Sequence, residues 1–470
     1  MPANGNALVN LDWPHWGAMP WTINLFKQCF SQQAPLSPVS YPWQLELDAY
    51  GFPKAGLVGG LPTYRIDNYF QTWQLVNGYA GKYRVQWQGK AGQVTLSIGV
   101  TSITASGVDA GGSIAKAGGD INFYGSNGWV EFYASGTVQG VIHFEKTGAP
   151  WDGTCRNMVL MRLDDATDQA NGKMVRKEIK DYFKVLNVRV LRTMDMNGIN
   201  NSSGALWKYR RKPEEFDWFG SSRYIQGAWV GDISGTNNYT CGLGTDHTEG
   251  ALTHGWTLQG NVLIQQNGAP FLNAGGFGAK AIVSIGGGAM TSPTGTVTDT
   301  VFARTNTFVY HGLLGKFIWN AVNFQQGFGM DDGVPWEALA ELAIDVGCDL
   351  YVNIPINYDA PSIQALGALL GGLFKTTTLK VYAEHGNENW NQKFSQGQMM
   401  GAIATALGFT AAAPANGDVN LARFSAQGYL HRVAMEAFAT GWTGAGASMN
   451  YLVRVLGVQA QGSQAAVQTY

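Results

Sequence analysis

Beyond Pro150 the chain switches between two hydrophobic periods, and no other feature limits its fold so strongly. Asn157-Met-Val-Leu-Met161 is an apolar run of strand length, after which Met174, Val175, Ile179, Tyr182, Phe183 and Leu186 recur at helical spacing with Lys and Glu between them. Val188-Arg-Val-Leu-Arg192 reads as a second strand. Pro335 opens a helix at its first position, Trp336, Leu339, Leu342, Ala343 and Val346 give it an apolar face, and Gly347 ends it. The alternation continues through a strand at 349–354, a helix at 362–374, a strand at 379–384, a helix at 418–438 and a strand at 451–456. Such alternation predicts right-handed βαβ units and a parallel sheet, here of five strands.

Two regions break that rhythm. From Lys82 to Lys146 short runs such as Lys82-Tyr-Arg-Val-Gln-Trp-Gln88 and Trp129-Val-Glu-Phe-Tyr133 alternate apolar and polar residues between Gly-rich turns. This period of two predicts an antiparallel β-sandwich domain over residues 1–150. The Gly/Thr/Asn-rich stretch 199–332 is too long for a loop and holds strand-like pieces at Trp256–Gln265 and Ala281–Ile285. It reads as a β-rich insertion leaving a strand's C-terminal end, as the wall of a cleft or as decoration. The fold class is therefore α/β plus all-β.

Charged residues make up 14 % of the chain and the net charge is −2, with the basic residues scattered, which argues against nucleic acid as a partner. Cys29, Cys155, Cys241 and Cys348 lie far apart without a C-x-x-C or a Cys/His cluster, so no zinc ribbon or dense disulfide framework is indicated. No basic-then-apolar leader follows Met1, and the run from Met399 to Ala415 is too short and too polar to span a bilayer. No membrane segment is expected. Nucleophile-elbow, metalloprotease, P-loop and dinucleotide-binding motifs are missing, and no cofactor or metal is implied.

One cluster carries chemistry: Glu384-His-Gly-Asn-Glu-Asn-Trp-Asn391, directly after a strand. Glycosidic cleavage needs a carboxylic acid to protonate the leaving oxygen and a second carboxylate as nucleophile or base. Glu388 is the candidate acid, Asn387 offers an amide to a sugar hydroxyl, and Trp390 offers a ring for stacking. Glu384, on the strand itself, reads as a support residue that needs a partner such as Arg454.

The stretch Val381–Asn391 resembles the fourth-strand motif of clan A glycoside hydrolases, in which an Asn-Glu pair holds the acid/base. More broadly the chain resembles large proteins that join a β-domain to a hydrolase-like barrel and carry the label cellulose-binding. Leu47–Pro53, Leu191–Asp195, Val334–Glu337 and Val453–Ala460 contribute to that likeness. It implies an incomplete TIM-type (β/α) barrel built from 151–198 and 333–470, with 199–332 inserted at its C-terminal face. It also places Arg192, Asp195, Asn353 and Gln459 around the cleft, near strand ends. Structural alternatives stay open: Arg192 and Asp195 pair with each other, and Asn353 satisfies backbone groups.

In that clan the second carboxylate lies on a seventh strand, so the resemblance implies that further strands come from beyond Tyr470 or from a neighbouring chain. Asp195 and Asp359 are the nearest internal substitutes. The expected partner is a polysaccharide or cell-surface glycan, met either by a secreted hydrolase or by a non-catalytic appendage of a phage virion. Both settings are extracellular or virion-associated.

Overall fold

The computed structural model describes residues 7–10, 22, 25, 30–32, 71–73, 80–97, 99–135, 141–145, 156–194, 196, 207, 210–214, 228–233, 238–241, 252–254, 256–262, 271–283, 305–320, 334–391, 395–409 and 419–457. Two compact units emerge: Met1–Asp12 with Asn187–Arg210 and Ile225–Tyr470, and Trp13–Leu186 with Arg211–Tyr224.

The second unit is antiparallel. Its strands are β2 (Phe30–Gln32), β3 (Gln71–Trp73), β4 (Gly81–Ser97), β5 (Val100–Val108), β6 (Ser113–Ala117), β7 (Asp120–Ala134), β8 (Val141–Glu145) and β9 (Arg156–Arg162), preceded in the chain by β1 (Ala7–Asn10). They form one eight-stranded sheet in the order β2-β3-β8-β4-β7-β5, with β6 on β7 and β9 on β4. The expected period of two is present: Tyr83, Val85 and Trp87 are buried while Arg84, Gln86 and Gln88 face outward. Trp87 stacks on Phe123 at 4.4 Å in a core shared with Val94, Leu96, Val130, Phe132 and Leu160. Bulges in β4 between Gln88 and Val94 bend the long strand, so a single sheet folds about one core where two sheets were expected.

The run at Asn157–Met161 corrects the reading of the sequence. Its apolar pattern predicts the first parallel strand, but β9 pairs antiparallel with β4, Tyr83 opposite Arg162 and Val85 opposite Leu160. The helices α1 (Ala166–Ala170) and α2 (Lys177–Val185) lie in the same unit, so residues 156–186 do not contribute to the parallel sheet.

The other unit continues with β10 (Val188–Arg192), β11 (Ala228–Ile233), β12 (Asn238–Cys241), β13 (Thr257–Val262), β14 (Phe271–Ala274), β15 (Lys280–Val283), β16 (Thr305–His311) and β17 (Lys316–Asn320). It ends with α3 (Trp336–Val346), β18 (Asp349–Ile354), α4 (Ala360–Phe374), β19 (Val381–His385), α5 (Ser395–Ala406), α6 (Val419–Gly444) and β20 (Leu452–Val455). Five strands pair in parallel in the order β1-β10-β18-β19-β20. The place assigned to 157–161 is taken by β1.

Local chemistry explains the helix bounds. Gly347 ends α3 in the left-handed conformation, φ 81°, its N–H closing on Ala343 and Ile344. The Asp359 carboxylate caps α4 by accepting from Ser362 N at 2.8 Å. Gly367 and Gly371 of α4 and Gly441 of α6 let the two backbones touch: a Cβ at Gly371 would stand 2.7 Å from the Trp442 carbonyl oxygen, and one at Gly441 would overlap that of Gln364. No helix among the described residues is long and apolar enough to cross a membrane.

The inserted stretch forms a separate seven-stranded mixed sheet, β11-β13-β16-β17-β15-β14-β12, around Trp256, Leu258, Leu272, Phe308 and Phe317. It docks within its own unit. Val283 of β15 and Ile318 of β17 pack with Ile356, just past β18, and with Met399, Met400 and Ile403 of α5.

Candidate active site at the ends of three parallel strands

Strand alternation divides the parallel sheet into unlike faces. Leu191, Leu350, Val352, Ile354, Val381 and Ala383 are buried on one face, against which the helices pack. The other face carries Arg192, Tyr351, Asn353, Tyr382 and Glu384. In-register pairing sets Arg192, Tyr351 and Tyr382 in one row and Asn353 beside Glu384 in another, nearer the strands' carboxyl ends. The two tyrosine rings stack at 5.9 Å and 6°, and the Arg192 guanidinium lies 5.1 Å from the Tyr351 ring.

Glu384 is the hub of this face. Its Oε2 accepts from Asn353 Nδ2 at 2.7 Å, the Tyr351 hydroxyl at 2.9 Å and an Arg192 Nη at 3.3 Å. Gly457 lies against Oε1 so closely that a Cβ there would overlap it. Burial pushes the Glu384 carboxyl above the usual range, and these three donors pull the other way. The expected partner, Arg454, is corrected to Arg192. Arg454 pairs in register with Ala383, one residue out of phase with Glu384, and so stands exposed on the opposite face.

Past β19 the chain turns sharply. Gly386 has φ 74° and Glu388 φ 45°, a backbone conformation that costs a non-glycine residue about 1–3 kcal/mol. Contacts on all sides hold the turn. Gly386 N donates to Ile354 O at 2.7 Å, Asn389 Nδ2 to His385 O at 2.8 Å, Gln396 Nε2 to Asn387 O at 2.7 Å and an Arg423 Nη to Trp390 O at 3.0 Å. The buried Asn387 accepts at Oδ1 from Arg192 at 2.7 Å, joining the turn to the face below. Glu388 is half-buried and accepts from Asn391 Nδ2 at 2.9 Å. A carboxylate held at a strand's carboxyl end, above a polar face, is positioned to exchange a proton with a bound molecule.

Of the residues singled out in the sequence, Arg192 bonds directly to Asn387 and shares Glu384 Oε2 with Asn353, which also donates to Gly386 O, and Glu388 and Trp390 lie on the turn they support. Asp195 and Gln459 lie outside the described residues. Asp359 is committed to capping α4. The sequence reading missed Tyr351 and Tyr382 as site residues, although the patterns Tyr-x-Asn and Tyr-x-Glu place each on the face of a candidate two residues on. The insertion borders the same end of the sheet: His254 receives Gly312 N at Nδ1, at 3.0 Å, and its Nε2 meets the Asn357 carbonyl oxygen at 2.8 Å, four residues past Asn353.

Behind Glu384, on the helix-facing side, sits the buried His385. Burial, then the nearby His431 of α6, push His385 down to about 3, and burial with Arg454 pushes His431 down to about 4. The folded pKa values lie below the ordinary 6.5, so between pH 6.5 and about 3 the unfolded chain binds protons that the folded chain refuses. The stability these neutral rings contribute is full above about pH 6.5 and is lost as pH falls through that window. The denaturant midpoint of His385→Gln should therefore fall less between pH 7 and pH 4.5 than that of the parent. Parallel curves for the two proteins would contradict this assignment.

No family model, curated protein or solved structure matches the chain.

Proposed function

We propose that the parallel unit is the carbohydrate-active part of a glycoside hydrolase-like (β/α) barrel, with Glu388 as acid/base. The observation that carries this reading is the position of Asn387-Glu388, at the carboxyl end of the fourth strand of a parallel sheet whose spatial order equals its chain order. A sheet wound in one direction is what barrel closure requires, whereas doubly wound sheets reverse their strand order. Arg192, Tyr351, Asn353 and Glu384 then form the charged and hydrogen-bonded floor beneath the acid. Trp390 meets the sugar, the buried Asn387 ties the turn to Arg192 beneath it, and the insertion forms one wall. Asp195 and Gln459 are assigned to the rim by the family likeness alone. The second carboxylate belongs to a seventh strand, from further along the polypeptide or from a neighbouring chain. The substrate is a polysaccharide or cell-surface glycan, in an extracellular or virion setting.

A second reading, glycan binding without cleavage, is favoured by one observation. The buried carboxyl nearest in sequence to Glu388, Glu384, is held by the chain's own donors, Tyr351, Asn353 and Arg192, as part of the sheet face. One experiment separates the two. The full chain is incubated with a panel of soluble polysaccharides, and new reducing ends and retardation in polysaccharide-loaded gels are both followed. Reducing-end release is the expected result. Retardation that Trp390→Ala weakens, without release, would leave only the binding reading, and neither release nor retardation would overturn both.

A further inference from the structure

The outward face of the antiparallel unit carries a cleft of about 960 Å³, remote in sequence from Glu388. Arg84, Gln86 and Gln88 of β4 and Asn127 and Trp129 of β7 build its floor, on the face opposite the buried Val85 and Val130, and the buried Trp87 also borders it. Register places Trp129 between Gln86 on one side and Gly107 of β5 on the other.

The indole is fixed in place. A Cβ at Gly107 would stand 2.9 Å from Trp129 Nε1 and 3.2 Å from Cε2, so the ring lies over a strand position that only glycine leaves open. The Arg84 guanidinium sits 5.1 Å from the ring centre and is itself held by Glu131, its Nε donating at 3.1 Å. Trp129 nevertheless stays 36 % exposed, unusual for so large an apolar side chain held this firmly.

The polar groups around the ring are also preset. Asn157 Nδ2 donates to Gln88 Oε1 at 2.8 Å, and Asn127 Nδ2 donates to Asp109 Oδ2 at 2.7 Å while its Oδ1 accepts from Gly89 N at 3.0 Å. Arg84 is neutralised by Glu131. The cleft's charged lining residues are two of each sign, Arg84 and Lys173 against Asp109 and Glu214.

We infer that this cleft is a second binding site, for a neutral oligosaccharide chain. An exposed aromatic face ringed by planar amides complements a sugar, whose ring presents C–H groups on one face and hydroxyls at its edge. Balanced charge disfavours a strongly anionic or cationic ligand, and the amides disfavour a purely apolar one. The volume lies at the upper end of that of small-molecule pockets, which ordinarily span roughly 300–1,000 Å³, and takes more than one sugar ring. The site stands on its own geometry and does not depend on Glu388 being catalytic.

The test titrates the full chain with cellohexaose, xylohexaose, mannohexaose, maltohexaose and chitohexaose, with oligogalacturonate as the charged comparator, by calorimetry and tryptophan fluorescence. At least one neutral chain should bind, and Trp129→Ala should weaken it by about tenfold or more, the loss expected for one aromatic stacking contact. Gln86→Ala, which leaves the indole in place, should weaken it by a smaller factor, and circular dichroism checks that both variants fold. If Trp129→Ala does not fold, Gln86→Ala decides. Absence of binding to all five neutral chains, binding unaltered in the folded variants, or tighter binding of oligogalacturonate than of every neutral chain overturns the proposal.

Discussion

Glu388→Gln should slow reducing-end release from any polysaccharide the chain cleaves by ~10² to 10⁴-fold, the usual loss when general acid catalysis is removed, with glycan binding retained. The amide keeps the size of the carboxyl and an oxygen for Asn391 Nδ2, which donates to Oε2 in the parent. It lacks the transferable proton. Gln also meets the same backbone demand at φ 45°, so the turn that carries Asn387 and Trp390 should persist. Binding and rate must be measured on the same preparation, because loss of both would point to a collapsed turn. Parental activity in the variant would remove Glu388 from the mechanism.

A large effect on stability is expected where α4 and α6 cross. Gly441→Ala places a methyl group against the Gln364 carbonyl oxygen and 2.8 Å from Ala368 N, both backbone atoms of α4. No rotamer change relieves a clash with a helix backbone, so the helices must separate, at a cost of about 3 kcal/mol, the upper range for overpacking. Gly372→Ala supplies the contrast. It lies on α4 next to Gly371, yet an added Cβ there meets nothing within 4 Å, so the better helix propensity of alanine should stabilise by up to ~1 kcal/mol. Opposite shifts in denaturant midpoint are expected for the two variants, and a fall of similar size in both would mean that the helix crossing is not the cause.

The elements most legible in the sequence are those whose ends carry their own chemistry. Pro335 and Gly347 bracket α3 because a missing N–H and a left-handed φ are properties of single residues. By contrast, Met158, Leu160 and Met161 are buried in β9 as they would be in a parallel strand, and only the antiparallel partner β4 tells the two apart. Ala7–Asn10 is too short to show a period at all. The helix α5 is not legible as a core helix, although Met399, Met400 and Ile403 bury one side of it under the inserted sheet. At the site, Asn387 and Glu388 stand out by motif, and Glu384 could be read as a buried support. The identity of its partner could not be read, because it depends on the registers of β10 against β18 and of β18 against β19, which no local pattern encodes.

The pairing of β1 with β10 has a consequence for how the chain reaches its native state. Ala7 pairs with Val188, a separation of 188 − 7 = 181 residues, and every strand of the antiparallel sheet, β2 to β9, lies between them in sequence. Loop-closure entropy grows only as the logarithm of loop length, so this detour costs little stability, but non-local pairing slows folding. During synthesis β1 emerges before β10 and stays without its partner until the strands β2 to β9 have been made. An antiparallel unit that folds on emerging replaces a long flexible tether with a compact one, and makes the search of β1 for β10 shorter. Substitutions that slow the folding of the antiparallel unit should then delay completion of the parallel sheet as well, though they touch none of its residues.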